Sequence, residues 1–446
     1  MQKIRFMVMV MAGLMAAGGG RAQDSTHYFT LQQALEYGQQ HNVQVKNALL
    51  DIKLQEQVNR EVTGSAYPQI SASGDLTYNI KLMNSAVPAE FFGGEAGSFV
   101  RIPFGVKWTS SGGFALNQIL FDGQVFTGLQ ARKTLIEYNE KNVEVTQEAI
   151  RQNIAKVYYQ LVVGKTQIDL LDSNIALLEK NKHDTKVMYD NGFAEKLDID
   201  KLDVQLANLG SQKAGVVNQI VNGYLGLKVL IGMPVKENLV LTDTLTDESL
   251  KEGILEATEF NYGQRKDFQL AEMGVKLNEY DVQRYKRSKI PTLMLNGYFN
   301  EMAQSNQFDL YGSHSYWSPV SALTVKLNIP IFTGGATNAR IAQAKIRLQQ
   351  TQNQLEALKI NIDNERQAAQ NTFKSAITDM DYQKQNMALA ENVYQQTKKK
   401  YEMGTGSQIE IDNARVQLQT AQTNYYNALY NAVVAKVDFL KAVGKF

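Results

Sequence analysis

The period of the apolar positions changes along this chain, and the changes divide it. Ile150, Ile154, Val157, Leu161, Ile168, Leu171, Ile175 and Leu178 recur at steps of three, four and seven, a heptad-like seam on an otherwise polar helix. No proline falls between residues 124 and 232 or after 336, as expected if both stretches are helical. Elsewhere the period is two. Ile70, Ala72, Gly74, Leu76, Tyr78 and Ile80 alternate with polar Ser71, Ser73, Asp75, Thr77 and Asn79. Leu323, Val325, Leu327, Ile329 and Ile331 alternate with Thr324, Lys326 and Asn328, and residues 108–121 and 293–299 show weaker versions. The pattern predicts four strands, each about ten to fourteen residues long and apolar on one face.

The same succession occurs twice. Leu116-Asn117-Gln118-Ile119-Leu120-Phe121-Asp122-Gly123 aligns with Leu327-Asn328-Ile329-Pro330-Ile331-Phe332-Thr333-Gly334, and Tyr189, Gly192 and Asp198 align with Tyr401, Gly404 and Glu410. The chain therefore reads as a duplicated unit of about 200 residues, far longer than a solenoid repeat. The first copy, 23–233, holds a helix at 30–66, strands at about 69–82 and 104–121, and helices at 124–188 and 195–232. A linker at 234–250 leads to the second copy, 251–446. That copy has a helix at 251–288, strands at about 292–302 and 320–333, and helices at 336–400 and 407–444. A helix over 124–188 would be about 98 Å long at roughly 1.5 Å per residue, which a compact soluble domain does not accommodate comfortably.

The N-terminus changes the picture. Lys3 and Arg5 precede an apolar run that ends in small residues and Gly20-Arg21-Ala22, so 1–22 reads as a secretory signal peptide. No later segment shows eighteen consecutive apolar residues. With no cysteine, disulfides, thiolate metal sites and lipidated N-terminal cysteines are excluded. A formal net charge of +1 offers nothing to nucleic acid. His27, His41, His183 and His314 are scattered without ligand spacing, Gly404-Thr405-Gly406 and Gly93-Gly94 are not phosphate loops, and no catalytic or cofactor constellation is found.

Alternation alone fits a soluble sandwich as well as a transmembrane barrel. The signal peptide and the very long helices favour the barrel. Four strands cannot close one, and lipid forbids open edges, so several chains must share it.

Two copies of helix, strand pair, very long helix, YxxG turn and returning helix resemble the TolC-like outer-membrane efflux family over essentially the whole mature chain. The most particular segments are Leu327 to Gly335 (LNIPIFTGG), Tyr401 to Ala414 (YEMGTGSQIEIDNA) and Asn424 to Gly444. The resemblance implies a mostly α fold with a β-barrel portion. Four strands per chain would enter a shared twelve-stranded barrel, and the antiparallel helices would form an α-barrel tunnel. It further implies a homotrimer in outer-membrane lipid that reaches into the periplasm. Its partners would be a periplasmic adaptor (membrane fusion) protein and an inner-membrane transporter, with a passive exit duct and no enzyme activity as the role. The reading from another class is a trimeric surface adhesin or coiled-coil scaffold without a pore.

The resemblance also assigns residues. Tyr189, Gly192, Gly404, Thr405 and Ser407 would form tip turns that dock the adaptor. Tyr401 would lock to Asp198, and Glu410 and Asn413 would ring the entrance with Asp412 close by. Gly406 stands where the family pattern has Arg, and Asn413 is neutral where it has Asp. Plainer roles stay open beside these. Glu410 suits a capping box with Ser407, Asp198 the first turn of a helix, Lys398 to Lys400 a helix C-terminus, and Tyr189 and Tyr401 packing.

Overall fold

The computed structural model describes residues 26–244, 260–312 and 315–446. The signal peptide, His314, the end of the linker and residues 251–259 of the helix expected at 251–288 lie outside the described residues. In chain order the elements are β1 (Thr26–Phe29), α1 (Leu31–His41), α2 (Val43–Gly64), β2 (Gln69–Tyr78), β3 (Met83–Pro88), β4 (Phe99–Phe104), β5 (Trp108–Phe121), α3 (Gly123–Asp190) and α4 (Lys196–Ile231). There follow β6 (Asn238–Leu241), α5 (Lys266–Arg287), β7 (Thr292–Ser305), β8 (Trp317–Asn328), α6 (Ala336–Glu402) and α7 (Gln408–Ala442). They build two compact units. One draws on Met1–Leu50, Lys141–Leu270 and Glu356–Phe446, the other on Asp51–Glu140 and Ala271–Leu355.

The second unit carries the main sheet, antiparallel in the order β2-β5-β7-β8. Directly opposed residues project to the same side. One side therefore collects Ile70, Leu116, Gly297 and Leu323 in one row, Ala72, Phe114, Phe299 and Ser321 in the next, and the pairs Leu295–Val325 and Leu293–Leu327 beyond them. The opposite side is more polar but mixed, with Ser71, Ser73, Thr77, Ser111, Asn117, Asn296, Asn300, Thr324 and Lys326 interspersed with Ala115, Met294, Tyr298, Met302, Val320 and Ala322. The apolar side is uncovered among the described residues, with Leu323 71% and Ile70 74% exposed. Among the described residues β2 and β8 each have a neighbour on one side only. Pro319, which lacks an N–H, is tolerated in β8 because that strand is an edge.

Element boundaries depart from the sequence expectation in several places: the strand expected at 69–82 ends at Tyr78, and the helix expected at 251–288 begins, among the described residues, only at Lys266, after a 3-10 turn over Tyr262–Gln264 capped by Asn261. The helix expected at 30–66 breaks at Asn42, whose side-chain oxygen accepts from the N–H groups of Gln44 (2.7 Å) and Val45 (3.2 Å) and whose amide donates to the Leu230 carbonyl (2.6 Å). An Asn that caps a new helix and ties it to α4 wins over continuing the first one. The strand expected at 104–121 starts at Trp108, because Gly105 has φ +107° and residues 99–104 pair instead with 83–88 as a separate hairpin. The strand expected at 320–333 spans 317–328. Pro330 cannot donate to a ladder, and Gly334 and Gly335, both at positive φ, turn the chain into α6.

The first unit adds an element that the linker reading missed, a parallel pairing of β1 with β6. The pair closes over Tyr158, which is fully buried and donates to the Phe29 carbonyl at 3.0 Å. Around it Ile150, Ile154, Leu161, Leu227 and Ile231 form the largest core cluster. The seam continues along α3, where Leu171 and Leu178 pack on Leu202 and Leu209 of α4. Helix α7 buries Ile411, Ala414, Leu418, Tyr425, Leu429 and Val433 at heptad spacing, in clusters shared with Tyr394 and Met380 of α6. By length and composition α4 could cross a membrane. Its ion pairs Asp203–Lys182 and Lys213–Asp172 instead bind it to α3.

Candidate functional site

The two reversals, between α3 and α4 and between α6 and α7, follow one construction. At the first, Gly192 takes φ +80°, its N–H reaches the Tyr189 carbonyl (2.9 Å), and the Phe193 N–H reaches the Met188 carbonyl (2.8 Å). At the second, Gly404 takes φ +73°, its N–H reaches the Tyr401 carbonyl (2.9 Å), and the Thr405 N–H reaches the Lys400 carbonyl (3.0 Å). Each is a left-handed glycine stop that satisfies the last carbonyls of a helix. The second is further fastened. The Thr405 hydroxyl donates to the Lys400 carbonyl at 3.1 Å, and the Gly406 N–H shares that acceptor. A Cβ on Gly406 would sit 3.0 Å from the Tyr401 nitrogen, so the backbone packs too tightly there for a side chain to enter without a shift. That is a local reason for glycine at this position.

Both helices restart at an extended residue. Ser407 accepts from the Glu410 N–H at 3.3 Å, whereas Glu195 makes no side-chain cap bond. Asp198 and Glu410 lie in the first turns of α4 and α7, where a carboxylate meets the positive end of the helix dipole.

The side chains sort into two groups. Tyr189, Glu410 and Asn413 are exposed, as are Phe193 and Met403 beside the turns. Tyr401 is partly buried against the cluster of Tyr394, Ile411, Ala414 and Leu418. Burial raises its phenol, and the charges of Asp198 and Asp412 raise it further. Tyr401, Asp198 and Asp412 thus share one electrostatic neighbourhood. Among the described residues, however, Asp198 is held by Lys201 at 3.1 Å and Asp412 by Arg415 at 2.7 Å, with Gln408 donating to Asp412 at 3.3 Å.

Arg415 was not singled out from the sequence. It is 8% exposed, and it joins Asp412 on its own helix to Gln205 on α4. Burial lowers its guanidinium against the pull of Asp412. The available signal was an Arg on the apolar face defined by Ile411, Ala414 and Leu418, three residues after an Asp. Beside it runs a groove lined by Asn181, Thr185, Met188, Tyr401, Gln408 and Ile411. Among the described residues no group of three or more His, Cys, Asp or Glu side chains could hold a metal.

An antiparallel sheet with a more apolar and a more polar face, in a chain that also has helices of 68 and 67 residues, fits strands built to enter a transmembrane barrel. In sequence the chain is similar to TolC-like outer-membrane efflux proteins. Residues 262–445 match the outer membrane efflux protein family. The chain is 22% identical over 423 residues to the outer membrane efflux protein BepC of Brucella suis biovar 1, covering 93% of this chain and 85% of that one. It is 20% identical over 339 residues to TolC of Vibrio cholerae serotype O1, covering 75% and 76%. In fold it is similar to CusC, with a TM-score of 0.76 at 18% identity, covering 93% of this chain and 91% of that chain.

Proposed function

We propose that this protein is an outer-membrane exit duct of a tripartite efflux or type I secretion system, a passive conduit that works with a periplasmic adaptor and an inner-membrane transporter. The observation that carries this reading is the two-faced sheet with both edges open. In lipid an open edge strands backbone N–H and C=O groups at several kcal/mol each, so the sheet needs further strands, and its only self-consistent source of them is more copies of the chain. Three copies give twelve strands. The polar side of each sheet then lines a pore, and the likeness to outer membrane efflux proteins supports the same conclusion.

The gate belongs to the same reading. Tyr401, Asp198 and Asp412, with Glu410 and Asn413 on the exposed side of α7, form the constriction, while Tyr189, Gly192, Gly404, Thr405 and Ser407 present the turns to the adaptor. Reconstitution of the purified protein in a planar bilayer tests the function, and native mass measurement tests the assembly. Discrete conductance steps from a three-copy particle are expected. A stable folded monomer, or a trimer that never conducts even when the turns are mutated, would overturn the reading.

A further inference from the structure

Between β2 and β5 the chain inserts a second, separate sheet. β3 and β4 pair from Met83–Phe104 to Pro88–Phe99, and a one-turn helix, Ala89–Phe92, with Gly93 at φ +77° closes the tip. Opposed residues share a side, so one side of this ribbon carries Met83, Val87, Val100, Ile102 and Phe104, broken only by Ser85. Among the described residues it is left largely open, with Met83 74% and Phe104 70% exposed and Phe91 at the tip 79% exposed. An isolated two-stranded ribbon is marginal in water, and an exposed apolar patch above a few hundred Å² normally marks an interface.

The root of the ribbon is fixed. The Asn79 N–H donates to the Lys107 carbonyl at 2.7 Å, its side-chain amide donates to the Val106 carbonyl at 2.8 Å, and Tyr78 packs on Trp108 at 4.5 Å between ring centroids. The ribbon thus rises directly from β2, an open edge of the main sheet. The strands alternate in direction across that sheet, so β2 and β8 are antiparallel. If copies join β8 to β2, the end of one copy's β2 at Tyr78 meets the start of the next copy's β8 at Trp317. The residue before that strand, Tyr316, is 81% exposed. Two uncovered apolar surfaces at opposite edges of one sheet come together only when copies join.

Resting on the shared-barrel reading above, we propose that the apolar side of the β3–β4 ribbon is a docking surface for a second copy of this chain, packing on the Tyr316 end of the neighbour's β8 as a clasp outside the strand seam. The sequence contains no cysteine, so introduced thiols report without background. Full-length Met83→Cys/Tyr316→Cys is treated with a short bis-maleimide, beside each single variant and a seam control, Thr77→Cys/Ser318→Cys. Covalent trimers are expected from the ribbon pair and the seam pair but not from the singles. Phe104→Cys/Tyr316→Cys repeats the test on the same side of the ribbon should Met83→Cys fail to assemble. Links at the seam but none from the ribbon would overturn the clasp and leave the shared barrel standing. A monomeric particle without links at either place would overturn both. A fluorophore on Met83→Cys that is quenched by spin-labelled lipid in the intact assembly would also reject the proposal, because the membrane would then be what covers the ribbon.

Discussion

At the scale of single residues the turn between α6 and α7 concentrates the consequences. Tyr401 packs through its ring, while its hydroxyl lies in the field of Asp198 and Asp412. Tyr401→Phe keeps the ring and removes the hydroxyl. If that hydroxyl reaches Asp198 in the closed assembly, the charge-assisted bond contributes on the order of 1.5–3 kcal/mol. Single-channel conductance of Tyr401→Phe is then expected to rise with trimers intact. Unchanged conductance in Tyr401→Phe, Asp198→Asn and the double variant would leave Tyr401 as a packing residue. Arg415 gives a sharper local expectation. In Arg415→Met the aliphatic volume is retained but Asp412 loses its cation and Gln205 its donor, so the end of α7 should loosen from α4. Faster amide exchange confined to the first turns of both helices would report it, and an unchanged exchange pattern would show that the buried arginine holds nothing there.

At the scale of elements, alternation makes neighbouring residues of β8 unequal. Val325→Arg places a cation on the apolar side and should cost about 2–4 kcal/mol near a bilayer midplane, whereas Thr324→Arg, opposite Asn296 on the polar side, should cost far less. Equal losses in reversible unfolding from lipid would mean that the faces are misassigned. The start of α5 makes a different prediction. Arg265, 4% exposed, pairs with Asp267 (2.6 Å) and Glu365 (2.9 Å) and donates to the Ala442 carbonyl at the end of α7. Burial would raise the Asp267 carboxyl, but the hydrogen bond and charge of Arg265 reverse this and hold it below the usual range. Glu148 on α3 shows the opposite balance. Burial and then Asp267 raise it, and the charges of Arg265, Lys441 and Lys266 do not compensate. An acid raised in the folded state contributes stability below its unfolded pKa, about 4.3 for Glu, and loses that contribution as pH rises through the folded value. Glu148→Gln should therefore match the parent near pH 4 and unfold at a higher temperature at pH 8. A variant no more stable at pH 8 would show that its carboxylate is compensated. The contribution of Asp267 has the other sign, being lost only as pH falls below the ordinary Asp range.

At the scale of the whole molecule, the main sheet ends among the described residues in two unpaired edges, β2 and β8, which the proposed shared barrel would join to other copies. The protein's stability should therefore depend on protomer concentration, because binding another copy stabilises only the folded state. Diluting the detergent-solubilised protein should lower its unfolding midpoint, and a midpoint independent of concentration below the dissociation range would argue for a self-sufficient monomer. The amount of this architecture visible in advance followed the length of each pattern. Helices α3 and α6 were legible to within two or three residues because a long proline-free heptad pattern has few competitors. The β1–β6 pair was not, since strands of four residues more than 200 positions apart leave no periodic trace. The ribbon β3–β4 escaped for a related reason. Pro88 and Pro103 argue locally against strands, and only pairing with each other gives those residues their register.

The sequence by itself determined the two-faced character of the strands, the heptad seams and the position of both reversals. Each follows from period, proline exclusion or a glycine free to adopt positive φ, all properties of neighbours along the chain. Tertiary structure decided which strands share a row, so that Ile70, Leu116 and Leu323 form one apolar face. It also decided that Arg415 reaches Gln205 and that Asp198 and Asp412 bear on Tyr401. Those relations join residues up to roughly 250 positions apart, and a hydrogen bond or a Coulomb field depends on distance in space, which no local period encodes.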